Sequence, residues 1–497
     1  MSTNVRINRL STGVPGLDVV LGGGLPEYSF NLIAGPPGCG KTTLAHQMMF
    51  ALATRERPAI YFTVLGEPPL KMLRYQQQFA FFDADALNAS VRFINLSDEL
   101  VHGDLSQVMN RIVAEVAEHS PALVFVDSFR SVVQAQRPDE NTHTTLQQFV
   151  QQLGVLMTSW QATTFLIGEY FSEVDANPVF TVADGLIWLR QSVQRNSMVR
   201  KLEVMKMRGQ ATLAGLHTFR ISAAGIEVFA PAGSARGPQS SRREYPDGAR
   251  LSVGVPIIDE MLGGGLPRGY SMLVSGPSGS GKSILATAFL AEGARQGENG
   301  VIAAFEQRVG QAGYSQLNEL IEADRIGVVD TTSPDFSIDE VLLLLVNEID
   351  RLKATRVVID SLSGFELSLA PTFREDYRES LLRLVKALVR TGVTVLMTSE
   401  LEDRYTDLRF SPYGTAFLTD AIIVQRYIEL DSCLRRVLAV VKVRGSRHSN
   451  ELREFLINDD GIQVGQTLPD QEGLLGGRPT RKRDEAPPWV SSGDGNA

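Results

Sequence analysis

Two stretches fix most of what this chain can fold into. Gly35-Pro36-Pro37-Gly38-Cys39-Gly40-Lys41-Thr42 and Gly276-Pro277-Ser278-Gly279-Ser280-Gly281-Lys282-Ser283 each fit the pattern G-x-x-x-x-G-K-[ST]. Each follows a short apolar run, Phe30 to Ala34 or Met272 to Ser275, and precedes helix-forming sequence, Thr43 to Ala53 or Ile284 to Ala294. Strand, glycine loop and helix in that order turn backbone N–H groups inward around phosphate oxygens. They also aim the positive end of a helix at the same point. The lysine can reach the terminal phosphates, and the hydroxyl of Thr42 or Ser283 can ligate Mg²⁺. These loops, with Thr43 and Ile284 next to them, are expected to bind a nucleoside triphosphate. A chance match in a Gly-rich chain is the alternative, and a second match in the same context argues against it.

The loops belong to a longer repeat. Leu10 to Ala45 aligns without a gap on Leu251 to Ala286, and 20 of these 36 positions are identical. The match includes Gly13-Val14-Pro15 with Gly254-Val255-Pro256, and the run Leu21 to Pro26 with Leu262 to Pro267. It continues through Phe125-Val126-Asp127-Ser128 with Val358-Ile359-Asp360-Ser361, and Lys206-Met207-Arg208-Gly209 with Lys442-Val443-Arg444-Gly445. A repeat of this length is a whole domain, not a solenoid unit. The boundaries expected are 1–232 and 250–465 for the two domains. A Pro-, Gly- and Ser-rich linker is expected over 233–249, and a disordered tail over 466–497.

Within each copy short apolar runs alternate with helical periodicity. Leu381, Leu384, Val385 and Leu388 recur on one face, then Gly392 stops the pattern and Val393 to Met397 reads as a buried strand. Phe149, Leu153, Leu156 and Trp160, followed by Thr164 to Gly168, repeat this in the first copy. Such alternation predicts an α/β fold, a mainly parallel sheet flanked by helices, with ligands beyond the carboxyl ends of the strands.

A net charge of −9 argues against a broad nucleic-acid or anionic-membrane footprint. The two cysteines, Cys39 and Cys433, fall on different copies, as in a reducing cytoplasm without a disulfide framework. The first residues lack the apolar core of a signal peptide, and no apolar run is long enough to span a bilayer, so a cytoplasmic location is expected. The cluster Arg478, Arg481, Lys482 and Arg483 reads as a solvated charge run, with a docking motif for a protein partner as the alternative.

Hydrolysis needs more than a phosphate cradle: a carboxylate near the metal, a group that activates the nucleophile, and positive charge on the transferring phosphoryl group. Asp127 and Asp360 each close an apolar strand, the Walker B pattern, and are expected on the magnesium with Thr42 and Ser283. A turn cap is the alternative. Glu67 and Glu306 follow the next strands, in Gly66-Glu67 and Glu306-Gln307, and suit a water-orienting base, with an exposed loop acid as the alternative. Lys206 with Arg208, and Lys442 with Arg444, lie on one face of a strand and suit a finger on a γ-phosphate. An ordinary basic edge is equally compatible with their spacing.

Taken together these residues resemble the KaiC family, circadian-clock ATPases and autokinases of tandem RecA-like P-loop domains, over about residues 10 to 465. The resemblance implies ATP and Mg²⁺ as ligands, and a homo-oligomer, a hexamer of two stacked rings with ATP at subunit interfaces. It also implies that the Lys206, Arg208, Lys442 and Arg444 pairs are donated across those interfaces. Family members carry two adjacent glutamates after the second strand, where each copy here keeps one. They phosphorylate a Ser-Thr pair whose positions hold Ala416 and Phe417 here, so Ser/Thr autokinase activity would need Thr415 or Thr419 instead. The expected function is that of an ATP-binding, ATP-hydrolysing device that signals through its nucleotide state. A nucleotide-dependent scaffold with little turnover is the first rival. A RecA-type DNA-dependent ATPase is the second, and the acidic balance and lack of a basic-aromatic groove count against it.

Overall fold

The computed structural model describes residues 7–63, 69–87, 89–100, 105–128, 142–171, 178–194, 196–231, 245–246, 248–305, 315–329, 331, 335–375, 377–401, 418–430, 432–459, 461–467, 471–472 and 480–481. The chain divides into two compact units, Met1–Gly237 and Pro238–Ala497.

In the first unit, nine strands form one sheet: β1 (Phe30–Gly35), β2 (Ala59–Thr63), β3 (Val91–Asn95), β4 (Leu123–Asp127), β5 (Thr163–Glu169), β6 (Gly185–Gln194), β7 (Ser197–Met207), β8 (Leu216–Ser222) and β9 (Gly225–Phe229). Their order across the sheet is β9-β8-β7-β6-β1-β5-β4-β2-β3. From β6 to β3 every neighbouring pair is parallel, whereas β6 to β9 is an antiparallel meander. The parallel part carries helices on both faces, and side chains alternate between two cores. Leu32 of β1 belongs to one core and Ile33 to the other.

The second unit repeats this plan with β10 (Ser271–Gly276), β11 (Gly300–Ala304), β12 (Ile326–Val328), β13 (Arg356–Asp360), β14 (Thr394–Glu400), β15 (Ala421–Leu430), β16 (Cys433–Val443), β17 (Leu452–Asn458) and β18 (Gly461–Thr467). The order is β12-β11-β13-β14-β10-β15-β16-β17-β18. These are tandem RecA-like α/β domains. The predicted amphipathic helix forms as Tyr377–Arg390, with Leu381, Leu384, Val385 and Leu388 all buried. The antiparallel meander was not visible in the alternation, because its strands are long and half-exposed and follow one another with no helix between them.

Asp18 and Asp259, the acids of the repeated leader, tie that leader down. Asp18 accepts from the Thr12 backbone N–H at 2.8 Å and from the Ser11 hydroxyl at 2.5 Å, and Asp259 accepts from Val253 N–H and Ser252 at 2.8 and 2.5 Å. Two expectations shift at the domain ends. β18 runs on to Thr467, and Gln471–Glu472 pairs antiparallel with Thr480–Arg481 inside the stretch expected to be disordered. Backbone pairing needs no apolar periodicity, so composition did not announce it. Tyr245, in the expected linker, lies against Arg268 with its ring 5.3 Å from the guanidinium, since an aromatic face offers packing that the Gly and Ser around it cannot.

Candidate functional site

Both P-loops leave the carboxyl end of the strand at the centre of a sheet and enter a helix, α1 (Lys41–Leu52) or α2 (Lys282–Arg295). Gly40 and Gly281 precede those helices with φ of 105° and 99°. A Cβ at either would also come within 2.8 or 2.7 Å of Ile221 or Ile457, so only glycine fits. Gly38, at φ 74°, faces open space. Lys41 Nζ donates to the Pro36 carbonyl at 2.8 Å, and Lys282 Nζ to Gly276 and Pro277 carbonyls at 3.0 and 2.8 Å. Cys39 is buried under its loop, and burial raises its thiol pKa.

The Walker B candidate Asp127 ends β4 on the same side of the sheet. Its Oδ2 accepts from the Thr42 hydroxyl at 2.7 Å and from the Tyr61 hydroxyl at 2.8 Å. Burial pushes its pKa up, against the Thr42 and Tyr61 hydrogen bonds and the charge of Lys41, which hold it down. Two oxygen donors in contact beside a phosphate loop form a hard-ligand set that fits Mg²⁺, which takes one or two protein oxygens and keeps the rest for water and phosphate. Thr42 with Asp127, and by equivalence Ser283 with Asp360, would hold it. Asp360 ends β13, is buried, and accepts from the Thr398 hydroxyl.

Lys206 and Arg208 lie elsewhere. Met207 is level with Gly185, and Gly185 with Asn31, so the pair sits at the amino end of β1. The P-loop is at the other end, about 17 Å away at roughly 3.3 Å per residue, beyond the reach of either side chain. There Lys206 Nζ donates to the carbonyls of Ala183, Thr181 and Phe180 at 2.6, 3.2 and 3.4 Å. Arg208 pairs with Asp184 at 3.0 Å. Lys442 donates to Thr419 O at 2.6 Å and Arg444 to Asp420 at 3.2 Å. Desolvation lowers the pKa of both lysines, followed by the neighbouring arginine and offset by the aspartate. Both arginines remain largely exposed.

Glu67 and Glu306 lie outside the described residues, as do Gly66, Gln307, Thr415, Ala416 and Phe417. The strands before the glutamates do align, and they change the count. β2 ends at Thr63 and β11 at Ala304, so Glu306 is the second residue past its strand and Glu67 the fourth. Thr419 is described, and it is 2% exposed with its hydroxyl unpartnered.

Sequence reasoning passed over three groups at this end of the sheets. Tyr61 is one. Glu169 and Glu400 are others, closing β5 and β14 level with Gly35 and Gly276, and Glu169 raises the Asp127 pKa. Tyr427 is the third, its hydroxyl donating to Ser278 O in the second P-loop at 3.4 Å. Equal placement in both copies was the available signal for the two glutamates.

A duplicated RecA-like core with a P-loop and a buried strand-end aspartate at the carboxyl edge of each sheet defines a tandem P-loop nucleotide-binding protein. Residues 10–233 and 251–468 match the family described as "ATPase: KaiC", and the chain belongs to that ATP-binding family. The circadian clock oscillator protein KaiC of Rippkaea orientalis is 27% identical over 494 residues, covering 97% of this chain and 93% of that protein. The protein of the same description from Synechococcus elongatus is 26% identical over 494 residues, covering 97% and 93%. KaiC 1 of a Synechocystis species is 26% identical over 489 residues, covering 96% and 92%. Among the described residues no helix is long and apolar enough to cross a membrane.

Proposed function

We propose that both domains bind Mg²⁺-ATP and that the protein is a slow ATPase whose nucleotide state is its output. The observation that carries this reading is the 2.7 Å contact between Thr42 and Asp127 beside the loop that bears Lys41. Lys41 and Lys282 would move from loop carbonyls to β- and γ-phosphate oxygens, while the loop amides hold the rest of the chain of phosphates. Bound Mg²⁺ would neutralise charge on those oxygens. Thr42, Asp127, Ser283 and Asp360 would orient it. Glu306, and less directly Glu67, would orient the attacking water.

Lys206, Arg208, Lys442 and Arg444 would act on the ATP of another copy. They are too far from the loop of their own domain, yet paired so weakly at the surface that a γ-phosphate could recruit the arginines. A ring, a hexamer in this reading, follows from head-to-tail use of one edge against the other. A cytoplasmic location and recruitment of a protein through the tail fit the same reading. The count along the chain, with Glu67 four residues after the end of β2 and Glu306 two after the end of β11, favours a second role for the first domain, in which bound nucleotide holds the assembly together with little turnover.

Phosphate release from Mg²⁺-ATP tests the proposal directly. Wild type is expected to release phosphate steadily, and the Lys41→Ala, Lys282→Ala double variant is expected to release none. Equal release from both would overturn it.

A further inference from the structure

The two strand-end aspartates are steered from opposite sides. β4 lies between β2 and β5, and β13 between β11 and β14. In the first domain the donor from a neighbouring strand is Tyr61, the third residue of β2. The third residue of β11 is Ile302, which has nothing to donate. In the second domain the donor is Thr398, the fifth residue of β14, and the fifth residue of β5 is Ile167, level with Asp127. A hydroxyl has thus moved from one neighbouring strand to the other, and an isoleucine stands at each position it left. Tyr61, Ile167, Ile302 and Thr398 are all fully buried.

Packing alone accounts for an aromatic ring at 61, which lies 5.8 Å from Phe125 and 4.6 Å from His46. It does not account for the hydroxyl, since phenylalanine would fill the same slab and would not need a polar partner. Nor does it account for a buried threonine at 398 whose hydroxyl donates to Asp360. Groups that hydrogen-bond a metal-ligating side chain fix its orientation before the cation arrives, and losing one costs about 10–100-fold in metal affinity.

We propose that Tyr61 and Thr398 are positioning residues, each orienting the aspartate of its own domain toward the Mg²⁺ of bound nucleotide, so that the two sites set their Mg²⁺ requirement independently. This rests on the ATP-binding reading above. One carboxylate oxygen is fixed in each case, Oδ2 of Asp127 and Oδ1 of Asp360, and the rotation of the group about its last bond is fixed with it.

The test uses the full chain and a fluorescent N-methylanthraniloyl ATP. Lys282→Ala isolates the first site and Lys41→Ala the second, and Mg²⁺ is titrated back after chelation. Tyr61→Phe is expected to raise the half-saturating Mg²⁺ of the first site about tenfold and leave the second unchanged. Adding Ile167→Thr, which supplies the hydroxyl from the other strand, is expected to restore it. Thr398→Val should raise the second site's half-point by a similar factor, and Thr398→Ser should not. Unchanged half-points in Tyr61→Phe and Thr398→Val would overturn the proposal and leave both as core fillers. Should Tyr61→Phe fail to fold, the Ser and Val variants at 398 decide by the same readout. Absence of analogue binding by wild type, with or without Mg²⁺, would overturn the ATP-binding reading and this proposal with it, a result distinct from bound analogue with an unmoved half-point.

Discussion

Arg208 pairs with Asp184 at the amino end of the strand whose carboxyl end carries the P-loop of the same domain, and Asp184 also accepts the Phe30 backbone N–H at 3.1 Å. Arg444 and Asp420 repeat the arrangement, with Asp420 accepting from Ser271 N–H at 3.1 Å. An arginine used in trans gives a result that a structural ion pair does not. Arg208→Ala, in a Lys282→Ala background, is expected to lose about 10³-fold or more in phosphate release. Mixing it with Lys41→Ala, Lys282→Ala subunits should return a fraction of the activity, because an intact loop then meets an intact arginine. No recovery on mixing would place the arginine's effect within its own domain. The exposed pair itself contributes at most about 1 kcal/mol, so folding should survive the change.

The position of that arginine shows what the sequence can and cannot yield. Strand, loop and helix around Lys41 are local, and local periodicity and glycine spacing announce them. Alternation also predicted the parallel sheet, because βαβ crossovers leave few other solutions. Sheet order is set by packing between segments far apart in the chain. Nothing in the spacing of Lys206 and Arg208 says which end of β1 they adjoin. Tyr61 and Asp127, 66 residues apart, meet only because β2 and β4 are neighbours. The mismatch between Glu67 and Glu306 became visible only once the two strand ends could be aligned.

Acid should weaken the first domain before the second. His46 of α1 is fully buried against Tyr61 and Phe93, neither ring nitrogen makes a hydrogen bond of normal geometry, and burial lowers its pKa to about 4, offset in part by Gln76. The unfolded chain therefore takes up a proton more readily than the folded one. Stability is complete above about pH 6.5 and is lost as pH falls through the window down to about 4. The loss amounts to about 2 kcal/mol by pH 5. The matching residue of α2 is Thr287, which does not titrate. Calorimetry of the full chain at pH 7.5 and pH 5 should show one transition moving down more than the other, and His46→Leu should remove most of the difference.

Thr419 should stay unmodified in the presence of Mg²⁺-ATP. Its side chain is 2% exposed, its hydroxyl has no partner, and its carbonyl already accepts from Lys442. A phosphate at this position would have to leave the core or bring two negative charges into it. Peptide mapping after prolonged incubation with ATP is expected to find no phosphate on Thr419. Thr419→Val, which removes an orphaned hydroxyl at nearly constant shape, should leave stability unchanged or raise it by up to about 1 kcal/mol. A phosphorylated Thr419 would mean that this end of β15 opens in solution.

The second domain contains a buried ion pair with no counterpart among the described residues of the first. Arg356 is 0% exposed, with Nε 2.6 Å from Glu298 and Nη1 donating to the Ser252 and Phe289 carbonyls at 2.7 and 2.8 Å. Its guanidinium also lies 4.8 Å from the Phe289 ring centre. At the equivalent first-strand position β4 has Leu123. Arg356→Leu removes one partner and leaves Glu298 held only by Arg268 on this side, together with two buried carbonyls short of a donor. Breaking such a pair costs about 3–5 kcal/mol, and the surviving Arg268 contact puts the expectation near the lower end. Arg356→Leu with Glu298→Gln should cost more than Arg356→Leu alone, because losing the Glu298 charge also leaves Arg268 without its partner. Urea unfolding of the two variants measures the difference, and the first domain's transition should not move in either.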